Sequence, residues 1–210
     1  MRPESGWASA RRLEELAGEA RVNLLRLVAL AAFYGHHLVN VFLLPGGPPT
    51  DGAFHREVTL VVLAWGLVAL VVAGCVRGRV VPLGLKYVST LADVLLATAL
   101  LVIAADPRTM YGSLYFLIIA ASALRLSLPL VYTATGASVA AYLFYLGFVR
   151  WGLALPEEQR LPRAQQVVMV LSLVVAGLLA GQVVRQCRRV WLGHGVLLLD
   201  PPADQPSAAK

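Results

Sequence analysis

The stretch that decides the fold runs from Tyr111 to Val149 and reads YGSLYFLIIAASALRLSLPLVYTATGASVAAYLFYLGFV. Its only charge, Arg125, separates two apolar segments. Neither segment alternates at period two or shows a clean polar face at period 3.6, and helices that are apolar all round are buried or lie in lipid. Pro129 lacks an amide donor and suits the first turn of the second helix. The stretch predicts a tight transmembrane hairpin, with Arg125 marking the membrane surface where the turn is solvated.

The chain as a whole is also rich in apolar residues and poor in charged ones. Of its 210 residues, 58% are hydrophobic and 14% are charged, whereas soluble proteins are about a quarter charged. A membrane-spanning helix needs about 20 mostly apolar residues. Six segments are candidates, at roughly residues 23–44, 57–76, 85–105, 111–125, 129–149 and 164–184. We predict an all-α, polytopic membrane protein, a bundle of six transmembrane helices.

The distribution of Lys and Arg predicts the orientation. With the N-terminus inside, 13 of the 18 basic residues lie on the inner side, which favours two cytoplasmic termini under the positive-inside rule. The inner residues are Arg2, Arg11, Arg12, Arg21, Arg26, Arg77, Arg79, Lys86, Arg125, Arg185, Arg188, Arg189 and Lys210. Anionic inner-leaflet lipid accounts for the net charge of +6. We therefore expect membrane lipid as a partner and no nucleic acid.

The polar segments divide the chain further. Residues 1–22 predict a cytoplasmic amphipathic lead-in helix on the membrane surface, or equally a solvated extension of the first span. Residues 23–184 form the six-helix domain. Residues 185–195 predict a cytoplasmic stalk helix that Gly193 and Gly195 break. Residues 196–210 read as a disordered tail.

Span six and the stalk carry two features that favour a protein partner. Gly177 and Gly181 form a small-xxx-small pattern, which allows close helix approach and makes them candidates for a dimer interface. An apolar stripe continues beyond the span, as a helix does when it packs on another in a short coiled coil. Its members are Val183, Cys187, Val190 and Trp191.

Several polar residues lie inside predicted spans, where an ionisable group is expensive and suggests a function. The candidates for ligand or signal sensing are Arg26, His36, His37, Asn40, Asp93 and Arg125. Asp93 is the only acidic residue deep in a span, and shares a helix face with Lys86 and Thr90. Three interpretations remain open for Asp93. It is protonated, or it pairs with Arg26 or Lys86 and only orients helices, or it is the coupling group for transport of an ion or proton.

His36 and His37 invite a haem reading, since imidazole is a common axial ligand. Adjacent histidines point about 100° apart on a helix, so one iron would need its second ligand from another span. We place His55 in an outer loop and find no histidine in spans two to six. We therefore expect no cofactor and no metal, and hydrogen bonds from these histidines to Asn40 or Tyr34 instead. No nucleophile arrangement or phosphate-binding loop is present, so we expect no enzyme activity.

Five short motifs support a resemblance. They are RVNLLRLV at 21–28, FY at 33–34, LAD at 91–93, YF at 115–116 and ALRLSLP at 123–129. Together they resemble the N-terminal six-helix membrane domain of bacterial sensor histidine kinases and class III adenylyl cyclases. The resemblance implies a dimeric receptor in the bacterial inner membrane that signals through the helix leaving its last span. No kinase or cyclase domain follows in this sequence. We therefore expect one of three things: a sensor subunit with a separately encoded kinase or cyclase as partner, the membrane part of an interrupted gene, or a bundle that serves another end.

The leading expectation is a sensory or regulatory membrane module that relays a lipophilic cue to a separate signalling protein. The cue would enter between spans and shift the polar faces of spans one and three. The alternative is a small transporter or channel-like protein that uses Asp93 as its coupling group.

Overall fold

The computed structural model describes the backbone of residues 4–43, 52–79, 82, 84–104, 110–153 and 161–199. Within these ranges it describes the side chains of residues 16–190, apart from Met110. Every regular element in this part of the chain is a helix. The elements are α1 (Glu4–Phe42), α2 (Gly52–Arg77), α3 (Leu85–Ala104), a 3₁₀ turn (Met110–Ser113), α4 (Leu114–Ala123), α5 (Leu128–Gly147), a π-helical turn (Phe148–Gly152) and α6 (Arg163–Leu199).

Five of the helices are long and apolar enough to cross a membrane, so the chain has the form of a multi-pass membrane protein. The exception is the fourth predicted span, 111–125. Its apolar helix covers only Tyr111–Ala123, which at ~1.5 Å per residue is about 20 Å long. The hydrocarbon core is ~30 Å thick. The fourth segment is therefore shorter than the other five predicted spans, because its α-helix follows a 3₁₀ turn and ends at Ala123.

The turn between α4 and α5 lies where the sequence placed it. Ser127 is extended and precedes α5, and proline occupies the first turn of that helix, which confirms the role predicted for Pro129. Leu126 has a φ of 50°. A left-handed backbone costs a non-glycine residue roughly 1 kcal/mol or more, so this turn is strained.

The core lies around α3 and α5. Tyr115 of α4 is fully buried, and its hydroxyl lies 2.9 Å from the hydroxyl of Thr98. Its ring meets that of Tyr142 edge to face, with the centroids 6.5 Å apart. On the outer faces, large apolar side chains such as Leu70 and Leu95 are about two-thirds exposed or more. This pattern fits helices whose outer faces contact lipid.

The two terminal helices are longer than their membrane spans. Because α1 is continuous from Glu4 to Phe42, the predicted lead-in is an extension of the first helix. Helix α6 continues to Leu199, so the expected break at Gly193 and Gly195 does not occur. A glycine inside a helix costs about 1 kcal/mol, which neighbouring helix formers can offset. Residues 200–210, the rest of the predicted tail, lie outside the described residues.

Gly177 and Gly181 pack within the chain. A Cβ atom added to Gly177 would overlap the side chain of Thr135 in α5. At Gly181, such an atom would lie 3.4 Å from Leu128 and 3.6 Å from Tyr132. Both glycines therefore let α6 approach α5, and this face of α6 is occupied by the same chain.

Candidate functional site

A row of buried polar residues joins α1, α3 and the α4–α5 turn. On α1 they recur at i, i+4 and i+7, which places them on one helix face. On α3 they fall within five positions on one side of the helix. We call this set the polar ladder: Glu19, Asn23, Arg26, Ser89, Thr90, Asp93 and Arg125.

The first ion pair of the ladder joins α1 to α3. Arg26 Nε donates to Asp93 Oδ1 at 2.8 Å, and Arg26 Nη2 donates to Oδ2 at 2.6 Å. Trp65 Nε1 also donates to Oδ1, at 2.7 Å. The third nitrogen of Arg26 donates to Asn23 Oδ1 at 2.9 Å, and Asn23 Nδ2 donates to the carbonyl of Ala69 at 3.1 Å. This bidentate, charge-assisted arrangement is among the stronger polar contacts that proteins make.

The partner of Asp93 is therefore Arg26, one of the two that the sequence left open, and not Lys86. Both members of this ion pair are buried, since Arg26 and Asp93 are each less than a tenth exposed. Because the charges neutralise each other, the pair can lie in the bundle without an uncompensated charge.

The second ion pair involves Arg125. Its Nη2 donates to Glu19 Oε2 and to Ser89 Oγ, both at 2.9 Å, and its Nη1 donates to Thr90 Oγ1 at 2.5 Å. The carbonyl of Lys86 lies 3.4 Å from the same Nη1. The position of Arg125 at the membrane surface stays a prediction. Its side chain is buried, because the turn directs it toward α1 and α3 rather than outward. Burial lowers the pKa of Arg125 from its ordinary value, and the Glu19 carboxylate opposes that shift.

A cavity of about 280 Å³ lies beside the ladder, walled by residues of α1 to α4. Arg26, Asp93 and Trp65 contribute its polar wall, while most other lining groups are alkyl or aromatic. Two of the lining residues, Val28 on α1 and Leu117 on α4, are 57% and 41% exposed. The cavity therefore opens between α1 and α4, on a face where the bundle would meet lipid.

The cavity is elongated along α1. Its lining residues on that helix run from Val22 to Tyr34, which corresponds to about 18 Å at ~1.5 Å per residue. The ion pair lies toward one end, and Tyr34 and Tyr111 lie toward the other. The volume is just below the range for small-molecule sites, roughly 300–1,000 Å³.

The histidines form a separate cluster. Helix α2 begins at Gly52, so His55 is helical, and its placement in an outer loop is corrected. His37 Nε2 lies 3.1 Å from His55 Nδ1, and the two rings stack with centroids 5.3 Å apart. His36 Nε2 instead meets Asn40 Nδ2 at 3.0 Å, as the sequence suggested. His37 lies eleven residues beyond Arg26, about 16 Å along α1, so this cluster is not part of the ladder.

The structure thus brings together three of the six sensing candidates, Arg26, Asp93 and Arg125. His36, His37 and Asn40 lie elsewhere. Sequence reasoning missed Glu19 and Trp65. The i, i+4, i+7 spacing of Glu19, Asn23 and Arg26 was a signal that could have found the first.

The stalk candidates lie on α6. Val183 and Val190 are both more than half exposed, and Cys187 is half-buried. The side chain of Trp191 lies outside the described ones. Among the residues that the structure describes, no group of three or more His, Cys, Asp and Glu side chains could hold a metal ion.

No family model matches the chain, and neither the curated proteins nor the solved structures contain a match.

Proposed function

We propose that this chain is a sensory or regulatory module of the bacterial inner membrane that relays a lipophilic cue to a separate signalling partner. The observation that carries the proposal is the apolar cavity between α1 and α4, which has a buried ion pair in its wall. A cue dissolved in the bilayer could reach such a cavity without crossing water. The resemblance to receptor domains of kinases and cyclases points the same way.

The ion pair gives the cavity a means of affecting helix positions. Arg26 belongs to α1 and Asp93 to α3, so a molecule in the cavity touches the contact that fixes these two helices to each other. A cue shifts the bundle only if it binds two arrangements with different affinity. The proposal therefore requires a second arrangement in which α1 and α3 pack differently around the cue.

The signal would leave through the stalk of α6. Its exposed Val183 and Val190 form part of an apolar stripe that another helix could cover. We assign this stripe to a second copy of the chain or to a cytoplasmic kinase or cyclase. Gly177 and Gly181 are less suited to a dimer contact because α5 covers them.

Transport remains the alternative because Asp93, a deep acidic residue, lines the cavity. Its hydrogen bonding favours regulation. Oδ1 accepts from Arg26 and Trp65, and Oδ2 accepts from Arg26. A coupling group must take up and release its ion in each cycle, and each release here would break a bidentate ion pair.

The test of the relay is a pull-down of the tagged full chain from the membranes of its own host in mild detergent. Val190→Asp places a charge on the apolar stripe, and Arg188→Asp places the same residue on the opposite face as a control. We expect a kinase, cyclase or response regulator to come down with the unaltered chain and with Arg188→Asp, but not with Val190→Asp. Recovery of the chain alone, or of the same signalling protein with Val190→Asp, would contradict the relay.

The transport alternative has its own measurement. Purified protein in proteoliposomes is assayed for proton and solute flux, with Asp93→Asn beside the unaltered chain. Flux that Asp93→Asn abolishes would support transport. Flux that is absent, or the same in both proteins, would remove Asp93 as a coupling group.

A further inference from the structure

The α4–α5 turn contacts α1 at Gly18 and Glu19. A Cβ atom added to Gly18 would lie 3.6 Å from Arg125 Cα, so the backbone of α1 packs directly on the turn. The next residue, Glu19, forms the ion pair with Arg125, and both side chains are 4% exposed. One backbone contact and one ion pair, adjacent in sequence, thus hold the N-terminal half of α1 to the turn.

The turn itself is strained. Leu126 has a φ of 50°, a conformation that a branched side chain rarely adopts. Such a conformation persists only where the surroundings impose it, and it is frequent in switch regions. The neighbouring Arg125 supplies the constraint, because its guanidinium binds Glu19 from α1 and Ser89 and Thr90 from α3.

Arg125 depends on Glu19 for its charge balance. Within the described part of the chain, Glu19 is the only carboxylate in an ion pair with Arg125, and Arg125 Nε has no hydrogen-bond partner. A buried cation that loses its partner is strongly destabilised. Separation of Glu19 from Arg125 would therefore favour an arrangement in which the guanidinium reaches water and Leu126 leaves its strained conformation.

We infer that the Glu19–Arg125 pair is a latch that couples the cavity to the N-terminal segment of α1. Glu19, Asn23 and Arg26 move together because they belong to one helix, and Ser89, Thr90 and Asp93 move together on α3. A molecule that alters the Arg26–Asp93 contact therefore also alters the geometry of the latch two helical turns away. When Glu19 and Arg125 separate, residues 4–18 become free to move and provide a second route for the signal, in addition to the stalk. This signalling role rests on the proposed function, whereas the latch itself rests only on the contacts above.

The test is amide hydrogen exchange of the full chain in lipid nanodiscs, with neither cue nor partner present. Glu19→Gln keeps the shape of the side chain and removes its charge. Arg21→Gln, at an exposed position two residues away, is the matched control. We expect Glu19→Gln to speed exchange of residues 4–18 and 123–128 by about tenfold or more, because opening then costs less. Exchange in α6 should be unchanged, and Arg21→Gln should behave as the unaltered chain does.

Coupling between the two ion pairs is tested by Asp93→Asn and by its combination with Glu19→Gln. If the ladder is one unit, Asp93→Asn alone speeds exchange of residues 4–18, and the double variant exchanges no faster than the faster single variant. If the two fold-changes multiply, the sites are independent and the coupling is refuted. Unchanged exchange at 4–18 in Glu19→Gln, or an equal rise in α6, overturns the latch. Because the experiment contains no cue and no partner, these results leave the receptor proposal to its own test.

Discussion

Two buried ion pairs, Arg26–Asp93 and Glu19–Arg125, join α1 to α3 and to the α4–α5 turn. In lipid there is no hydrophobic driving force between helices, because the lipid tails are as apolar as the side chains. Polar contacts therefore fix the rotation of neighbouring helices. A buried pair adds little net stability when formed, yet removal of one partner is costly. The ladder therefore serves orientation more than overall stability.

Asp93→Asn should destabilise the protein by about 3 kcal/mol, because it leaves the Arg26 guanidinium buried without a counter-ion. Reversible unfolding of the purified protein in mixed micelles measures the free energy of unfolding. Glu57→Gln is the control, since Glu57 is exposed on α2 and the substitution should be nearly neutral. Equal stability of the Asp93 and Glu57 variants would contradict a structural role for the Arg26–Asp93 pair.

The sequence predicted part of this residue pattern. It identified Asp93 and named Arg26 and Lys86 as possible partners, but the choice depends on how α1 is rotated about its axis, which composition does not define. Glu19 was missed because its charged neighbours resemble those of a surface helix. Its spacing from Asn23 and Arg26 places it on their helix face, but its partner Arg125 lies 106 residues away and is found only in the three-dimensional structure.

At the scale of helices, close packing of α5 and α6 depends on a glycine. Gly177 faces Thr135, and the added Cβ would overlap that side chain. Gly136, on α5, has open space around it. Replacement by alanine is therefore expected to have different effects at these two glycines, which belong to the same pair of helices.

Gly177→Ala should cost about 1–3 kcal/mol through overpacking, whereas Gly136→Ala should be neutral or add up to about 1 kcal/mol from helix propensity. Thermal unfolding of the purified variants measures the difference. Adding Thr135→Ala to Gly177→Ala removes the overlapping hydroxyl and methyl groups and should recover part of the loss. A neutral Gly177→Ala that instead dissociates a dimer would show that this face contacts a second copy.

The helices themselves were largely predictable, because 20-residue apolar blocks and Pro129 define most of their positions. Two of the deviations have a local origin. The 111–125 segment is apolar throughout, and composition does not reveal that it starts as a 3₁₀ turn and ends at Ala123. His55 was placed in a loop because the helix signal before Glu57 is weak, although α2 begins at Gly52.

At the scale of the whole molecule, the composition was sufficient to predict a multi-pass membrane protein, but it could not predict the cavity. The cavity is walled by residues of four helices, α1 to α4, and no single segment of the sequence carries that information. Both native cysteines, Cys75 at the end of α2 and Cys187 on α6, lie on the side of the membrane predicted to be cytoplasmic.

A membrane-impermeant maleimide applied to intact cells should therefore leave Cys75 and Cys187 unlabelled, and both should react after permeabilisation. The control is Arg150→Cys in a chain carrying Cys75→Ser and Cys187→Ser. Arg150 is exposed near the predicted outer side, so its replacement should react in intact cells. Labelling of the native thiols from outside would contradict the predicted orientation and the cytoplasmic position of the stalk.

Binding of a lipophilic cue in the cavity between α1 and α4 is the central claim, and recovery of that cue tests it most directly. The full chain is purified from its own host in parallel with Ala29→Phe, which fills the cavity, and Ala140→Phe, which adds the same ring to an exposed site on α5. Small molecules extracted from each preparation are compared by mass spectrometry. A compound held by the unaltered chain and by Ala140→Phe, and depleted about tenfold or more in Ala29→Phe, is the predicted result. Identical extracts from all three proteins would contradict a cue-binding cavity.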